Sequence, residues 1–314
     1  MDAPHPRPPS RGKILVTPRS VTRDGHPALE RLREAGFEVV LGPPGRQPSE
    51  ADLLQLLPGC VGYLAGVEPV TAAALGQATH LRAISRNGTG TDNIDLEAAE
   101  AQGIQILRAA GANARGVAEL AWALILGLAR AVPASDAALK RGEWQRQPGL
   151  ELEGRTLGII GCGTIGRVVA GFGTAFGMRV LGFDPFPSES GIRLVDLPTL
   201  WRESDVVTLH CPPPEHGPLV DGSALDQMRD GLLLVNTARA ELVEDNALLA
   251  ALGSGRLGGY AADVFRHEPP GDDPLARHPK VIATPHVGGF TPESITRAVT
   301  VAVDQLLEAL GGEL

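Results

Sequence analysis

Apolar positions along this chain fall into short runs, separated by stretches in which apolar residues recur at helical spacing. Lys13–Val16, Glu38–Leu41, Val61–Leu64, Arg82–Ser85 and Gln105–Leu107 read as strands. Between them lie helical stretches at Pro27–Ala35, Ser49–Leu57 and Thr71–Gln77, and one starting near Leu96. Short apolar strands alternating with helices predict a parallel sheet covered on both faces. A long apolar helix, Val117–Arg130, then reads as an interdomain or dimer-facing element. A second series follows: Thr156–Ile160, Arg179–Phe183, Asp205–His210, Leu232–Asn236, Gly259–Asp263 and Val281–Ala283. The last helix, Pro292–Leu310, comes after that series is complete, and its pattern alone fits packing on either unit. The expected fold class is α/β, with two doubly wound parallel-sheet domains.

Composition narrows the partners. With 28 Lys+Arg against 37 Asp+Glu, the 314-residue chain carries a net charge of −9, which argues against a nucleic-acid partner. The longest apolar stretch, Leu120–Ala129, is far shorter than the roughly 20 residues of a membrane span, so no membrane partner is expected. Residues 1–11 open with four prolines and lack the apolar core of a secretory signal, and they read as a disordered lead-in. Three scattered cysteines, Cys60, Cys162 and Cys211, form neither a disulfide framework nor a zinc pattern, so a cytoplasmic location and no metal are expected.

The second series opens with chemistry. Leu157–Ile160 runs into Gly161, Cys162, Gly163, Thr164, Ile165 and Gly166, and a helix follows. This is G-x-G-x-x-G in its strand–turn–helix context. Gly161 permits the tight turn, Gly163 lets a pyrophosphate approach the backbone, and Gly166 lets helix and strand pack closely. The helix N-terminus offers N–H groups to the phosphates. A lone glycine motif is weak, but Asp184 ends the next strand, where a carboxylate accepts ribose hydroxyls and repels a 2′-phosphate. Arginine is absent beside it, so the expected cofactor is NAD rather than NADP.

At this point the chain resembles the D-isomer-specific 2-hydroxyacid dehydrogenases, and looks closest to their phosphoglycerate-dehydrogenase-like branch. Four stretches carry the resemblance: SRNGTGTDNIDLEAAEAQGI, LGIIGCGTIG with Asp184, LLLVNTARAELVEDNALLAAL, and YAADVFRHEPP followed by TPHVGG. They stand in the family's order. The resemblance implies a catalytic set of Arg239, Glu268 and His286, which bind substrate, orient the histidine and carry the proton. The residue types suit reduction of a 2-oxo acid. Arginine offers a planar fork to a carboxylate, and histidine passes a proton in either direction near neutrality. Taken singly, each has a plainer reading, as a solvated arginine, a structural histidine or a turn glutamate before Pro269 and Pro270. Only their joint fit to one motif set favours catalysis.

The resemblance also implies that the loop Asn87, Gly88, Thr89 and Gly90 faces the substrate, its backbone N–H groups receiving the carboxylate. Thr237, Ala238, Asp263 and Gly288 match positions near the nicotinamide, and His210, Cys211 and Pro212 line the adenine side. The implied architecture is a Rossmann NAD-binding domain, residues 108–286, inserted in a flavodoxin-like substrate domain, residues 12–107 and 287–314, with the active site between them. A small 2-oxo or 2-hydroxy acid substrate and a homodimer are expected.

Two departures bear on substrate. Where phosphoglycerate dehydrogenases carry a basic, hydroxyl-rich segment, this chain has Leu64–Pro69 with no cation and one acid, Glu68, which argues against a phosphate-bearing substrate. Ending at Leu314, the chain is also expected to lack the C-terminal regulatory domain of long members. Two other readings stay open here, a non-catalytic NAD-sensing corepressor-like protein and a formate- or phosphite-type NAD dehydrogenase.

Overall fold

The computed structural model describes residues 10–186 and 191–311. The chain divides into two compact units, residues 1–113 with 292–314, and residues 114–291. Residues 1–9, expected as a disordered lead-in, lie outside the described residues. Arg11, grouped with them on sequence, is held in place instead. Its N–H donates to the Gly36 carbonyl (3.0 Å), and its guanidinium donates to the carbonyls of Leu310 (3.2 Å) and Gly311 (2.5 Å).

The first unit runs β1 (Lys13–Val16), α1 (Arg19–Asp24), α2 (Leu29–Glu34), β2 (Glu38–Leu41), α3 (Glu50–Leu56), β3 (Cys60–Ala65), α4 (Ala72–Gly76), β4 (Ala83–Arg86), α5 (Leu96–Ala101) and β5 (Gln105–Arg108). Its five strands are all parallel, in the order β2-β1-β3-β4-β5. That is the flavodoxin-like order, whose ligand crevice lies beyond the carboxyl ends of the strands, at the point where the order reverses. Ser49, Thr71 and Asp95 cap the helices after them, each accepting from an N–H in the first turn. The helix expected from Pro27 begins only at Leu29. α1 was not expected, because within so short a segment only Val21 supplies a buried apolar side chain.

The second unit runs α6 (Ala114–Ala129), α7 (Val132–Lys140), β6 (Thr156–Ile160), α8 (Thr164–Ala175), β7 (Arg179–Phe183), β8 (Arg193–Leu194), α9 (Leu197–Glu203), β9 (Val206–Leu209), α10 (Gly222–Gln227), β10 (Leu232–Asn236), α11 (Asp245–Ser254), β11 (Leu257–Ala262) and β12 (Val281–Ala283). Its seven parallel strands are ordered β12-β11-β10-β9-β6-β7-β8. Renumbered within the unit, this is the Rossmann order with one strand added, and it reverses between β6 and β9. One face of α6 is a core element of this unit. Ala118, Ala121, Leu124 and Ile125 pack into one apolar cluster with Val169 of α8, Val235 of β10 and Ala261 of β11. Among the described residues no single helix is long and apolar enough to cross a membrane.

The chain ends in α12 (Pro292–Ala309), which returns to the first unit. Its buried face of Val299, Ala302, Val303, Leu306 and Leu307 joins the cluster of Ile14, Val16, Leu64 and Ala83. Gly62 makes this close seat possible, since a Cβ there would lie 2.9 Å from Leu310 Cδ1. Periodicity could not choose the unit; complementary apolar faces do.

Candidate active site

The glycine loop leaves β6 at the reversal point of the second unit's sheet. Gly161 has φ +90°, and a Cβ on it would lie 2.5 Å from the His210 carbonyl oxygen. Gly166 is tighter still, because its Cβ would stand 2.1 Å from the Gly161 carbonyl oxygen. Around Gly163, by contrast, a Cβ would meet nothing within 4 Å. Two glycines are therefore required by packing, and the third leaves open space at the start of α8. Gly163 caps that helix without a side chain, so the amides of its first turn, from exposed Thr164 and half-buried Ile165 onward, are available to a phosphate.

Asp184 sits just beyond β7 and has a second task that the sequence did not disclose. Its Oδ2 accepts the Cys162 N–H (2.8 Å) and its Oδ1 accepts the Phe186 N–H (2.9 Å). The carboxylate thus shapes the glycine loop while each oxygen keeps a further acceptor position for a ribose hydroxyl. After β9, His210 binds Thr208 Oγ1 through Nε2 (2.9 Å), and burial pushes its imidazole down to about 3, so the ring is neutral. Burial, followed by smaller influences that include Asp184, raises the thiols of Cys162 and Cys211 to about 11. These cysteines are neutral fillers of the loop walls. Pro212 beside them is exposed.

Two buried polar atoms, His210 Nδ1 and Thr237 Oγ1, have no hydrogen-bond partner within the protein. Together with the open space at Gly163, they fit a dinucleotide laid across the carboxyl ends of these strands. Among the described residues no group of three His, Cys, Asp or Glu side chains is placed to hold a metal ion.

The three catalytic candidates follow three neighbouring strands, β10, β11 and β12. His286 and Glu268 meet directly: His286 Nδ1 lies 2.8 Å from Oε2 and 3.1 Å from Oε1. A carboxylate only accepts, so Nδ1 carries the proton in this pair and Nε2 is the atom left to exchange one. Glu268 is itself steadied by the Phe265 N–H (3.2 Å to Oε1). Both side chains remain exposed, at 49% and 39% of their surfaces. His286 stands at φ +53°, one of two non-glycine residues among those described with positive φ.

Arg239 is half-buried in the turn after β10, where its guanidinium donates to the Ala238 carbonyl (2.7 Å). Asn236, fully buried at the end of that strand, makes the turn. Its Nδ2 donates to the Arg239 carbonyl (2.8 Å) and its Oδ1 accepts the Ala238 N–H (3.0 Å). The sequence reading missed Asn236 as a site residue. The available signal was a lone polar residue closing an otherwise apolar strand.

Asp263 and Gly288, both expected near the nicotinamide, meet each other in the structure. Asp263 is 1% exposed, and its carboxylate accepts from Thr284 Oγ1 (2.6 Å), the Val287 N–H (2.9 Å) and the Gly288 N–H (2.8 Å). The loop Asn87–Gly90, in the first unit, is likewise partly committed. The Asn87 N–H donates to Ala65 (2.8 Å) and the Gly88 N–H to Arg86 (2.8 Å), so only Thr89 and Gly90 keep amides for a ligand. Glu68, the one acid of the Leu64–Pro69 segment, is 1% exposed. Its Oε1 accepts from Thr17 Oγ1, the Tyr63 hydroxyl (2.5 Å) and the Gly66 N–H (2.8 Å). Burial, then Glu68, raises the Tyr63 phenol well above its usual range.

Comparison with known proteins agrees with this geometry. Residues 122–288 match the family model described as "D-isomer specific 2-hydroxyacid dehydrogenase, NAD binding domain". A D-3-phosphoglycerate dehydrogenase of Methanocaldococcus jannaschii is 41% identical over 254 residues, 78% of this chain and 48% of the relative. A hydroxypyruvate reductase of Thermotoga maritima is 37% identical over 269 residues, covering 83% of this chain and 88% of the relative. Among solved structures, the TT0316 protein from Thermus thermophilus superposes with a TM-score of 0.86 at 37% identity, over 95% of this chain and 97% of that one. The chain spans about half the length of the D-3-phosphoglycerate dehydrogenases it matches. A shared NAD-binding domain and relatives aligned over nearly their whole length lead to one conclusion: the chain belongs to the D-isomer specific 2-hydroxyacid dehydrogenase family, with NAD as its cofactor.

Proposed function

We propose that this protein is an NAD-dependent oxidoreductase that interconverts a small 2-oxo acid and the corresponding D-2-hydroxy acid. The observation that carries the reading is the His286–Glu268 pair, accessible to solvent, on a strand series that also presents Arg239. NADH, when bound, supplies the hydride. Arg239 holds the substrate through its carboxylate and keto oxygens, and the charged His286 gives a proton from Nε2 to the keto oxygen, while Glu268 holds Nδ1. In the reverse direction neutral Nε2 takes the hydroxyl proton. The amides of Thr89 and Gly90 are our further candidates for the substrate carboxylate. The segment Leu64–Pro69 offers no cation, which favours an unphosphorylated substrate. Three free cysteines support a reducing compartment such as the cytoplasm, and a homodimer completes the proposal.

The test is a panel of 2-oxo acids with NADH, including glyoxylate, hydroxypyruvate and a phosphorylated analogue, read by loss of reduced-cofactor absorbance. Formate and phosphite with NAD form the control arm. Tight NADH binding without turnover of any member would remove the enzymatic reading.

Two variants probe the parts separately. Asp184→Ala removes an acceptor for ribose and frees the Cys162 amide that the carboxylate holds. Losing such charge-assisted bonds costs ~1.5–3 kcal/mol, so NADH binding should weaken roughly 10–100-fold. Equal affinity of the unaltered protein for NADH and NADPH would contradict this role. Arg239→Lys keeps the charge but loses the fork, and kcat/KM for the oxo acid should fall by about 10–100-fold while NADH affinity barely moves. Unchanged oxo-acid kinetics would remove Arg239 from the site.

A further inference from the structure

Glu68 is buried where the first unit's sheet reverses its order, between β1 and β3, the place at which open parallel sheets receive ligands. Its Oε1 takes three donors there, the Thr17 and Tyr63 hydroxyls and the Gly66 N–H. Donors alone suit an ionised carboxylate, which only accepts. Gly66 is required for this approach, since a Cβ on it would lie 2.6 Å from Glu68 Oε2. The same loop is bound to the segment that follows β4. The Asn87 N–H donates to the Ala65 carbonyl (2.8 Å), Asn93 Nδ2 to the Glu68 carbonyl (2.6 Å), and the Val70 N–H to the Asn93 carbonyl (2.7 Å). Thr89 and Gly90, whose amides are our candidates for the substrate carboxylate, lie between those anchors in sequence.

We infer that Glu68 is a specificity-determining residue: its buried charge repels a second anionic group, so the 2-oxo acid accepted here carries one negative charge, that of its own carboxylate. The inference rests on the dehydrogenase reading and deepens it, from a loop without a cation to a loop with an opposing charge. Three observations carry it. The donors that a phosphate or a second carboxylate would seek at the reversal point already serve Glu68. The carboxylate is 1% exposed, so water and salt screen its field far less than that of a surface acid. Its position is also fixed from two sides, because its oxygen holds the Gly66 amide while its own carbonyl is held by Asn93. A charge so placed cannot swing away to admit an anion.

The experiment compares oxaloacetate with its 4-amide, two 2-oxo acids of nearly equal size that differ by one negative charge. Each is assayed with NADH as a substrate of the full chain, or as a competitive inhibitor of the best oxo acid where turnover is slow. The unaltered protein should favour the amide by about 10-fold in kcat/KM or Ki, the effect of two unit charges ~10 Å apart at an effective dielectric constant of ~20. Glu68→Gln keeps the size and an acceptor oxygen, and the preference should shrink to within about twofold as the charge goes. Tyr63→Phe removes one donor but keeps the charge. It should lower Tm and leave the preference intact, which separates charge from packing. Should Glu68→Gln fail to fold, the unaltered protein and Tyr63→Phe still decide through the same pair of acids. Equal use or equal rejection of the two acids by the unaltered protein, or an unchanged preference in Glu68→Gln, would overturn the inference. So would a preference for oxaloacetate, which would give the dominant charge to Arg86 at the end of β4. If no 2-oxo acid is reduced at all, the dehydrogenase reading falls and takes the inference with it. Turnover that ignores the second charge removes the inference alone.

Discussion

Replacing His286 with alanine should slow reduction of the oxo acid by ~10²–10⁴-fold while leaving NADH binding nearly intact. The size follows from what is removed. Hydride arrival at a carbonyl carbon builds negative charge on its oxygen, and without a placed donor that proton must come from water. In barrier terms the loss is roughly 3–5 kcal/mol. The selectivity follows from geometry, because the glycine loop, Asp184 and His210 follow β6, β7 and β9, whereas His286 follows β12 at the far edge of the sheet. Glu268→Gln is the companion measurement. It retains a hydrogen-bonding side chain beside Nδ1 but no charge, and should give a smaller rate loss than His286→Ala. Single-turnover reduction with NADH pre-bound isolates the chemical step. Near-normal single-turnover rates in His286→Ala would end its assignment as proton donor.

Gly166→Ala should abolish measurable NADH binding and lower Tm, although it adds only one methyl group. The new Cβ would stand 2.1 Å from the Gly161 carbonyl oxygen, 3.1 Å from its carbonyl carbon and 3.2 Å from Ile159 Cγ2. The first two are backbone atoms of the glycine loop and have no rotamer to escape into. α8 must therefore withdraw from β6, carrying away the amides that would meet a phosphate. Overpacking of this kind costs ~1–3 kcal/mol, and a contact with backbone sits at the upper end. Gly163→Ala makes the contrast sharp. Its Cβ enters open space, so Tm should hold while NADH affinity falls, because the methyl occupies the approach to the helix N-terminus. Fluorescence titration with NADH and thermal melts of both variants check the pair. Equal Tm for the two variants would refute the packing argument for Gly166.

Local and periodic features were legible in the order of residues alone. β6 and β10 fall where the apolar runs placed them, because strands buried along their whole length are drawn mostly from apolar residues. The glycine loop was equally legible, since its backbone demands are met by one residue type at fixed spacing. Four motifs whose joint order names a family also singled out Arg239, Glu268 and His286, and folding brings the last two into contact.

Features that depend on faces and partners were settled only by folding. Tertiary packing seated α12 on the first unit and buried α6 within the second, choices that periodicity leaves open because an apolar stripe does not name its mate. It turned Glu68 inward among Thr17, Tyr63 and Gly66, and it gave Asp184 the Cys162 amide to hold. Above all it spent Asp263 on the His286 turn and Asn236 on the Arg239 turn, roles that no spacing announces. A carboxylate or carboxamide accepts or donates to whatever the fold brings within 3 Å, and donors 21 to 25 residues away in sequence reach Asp263 only after β11 and β12 have paired.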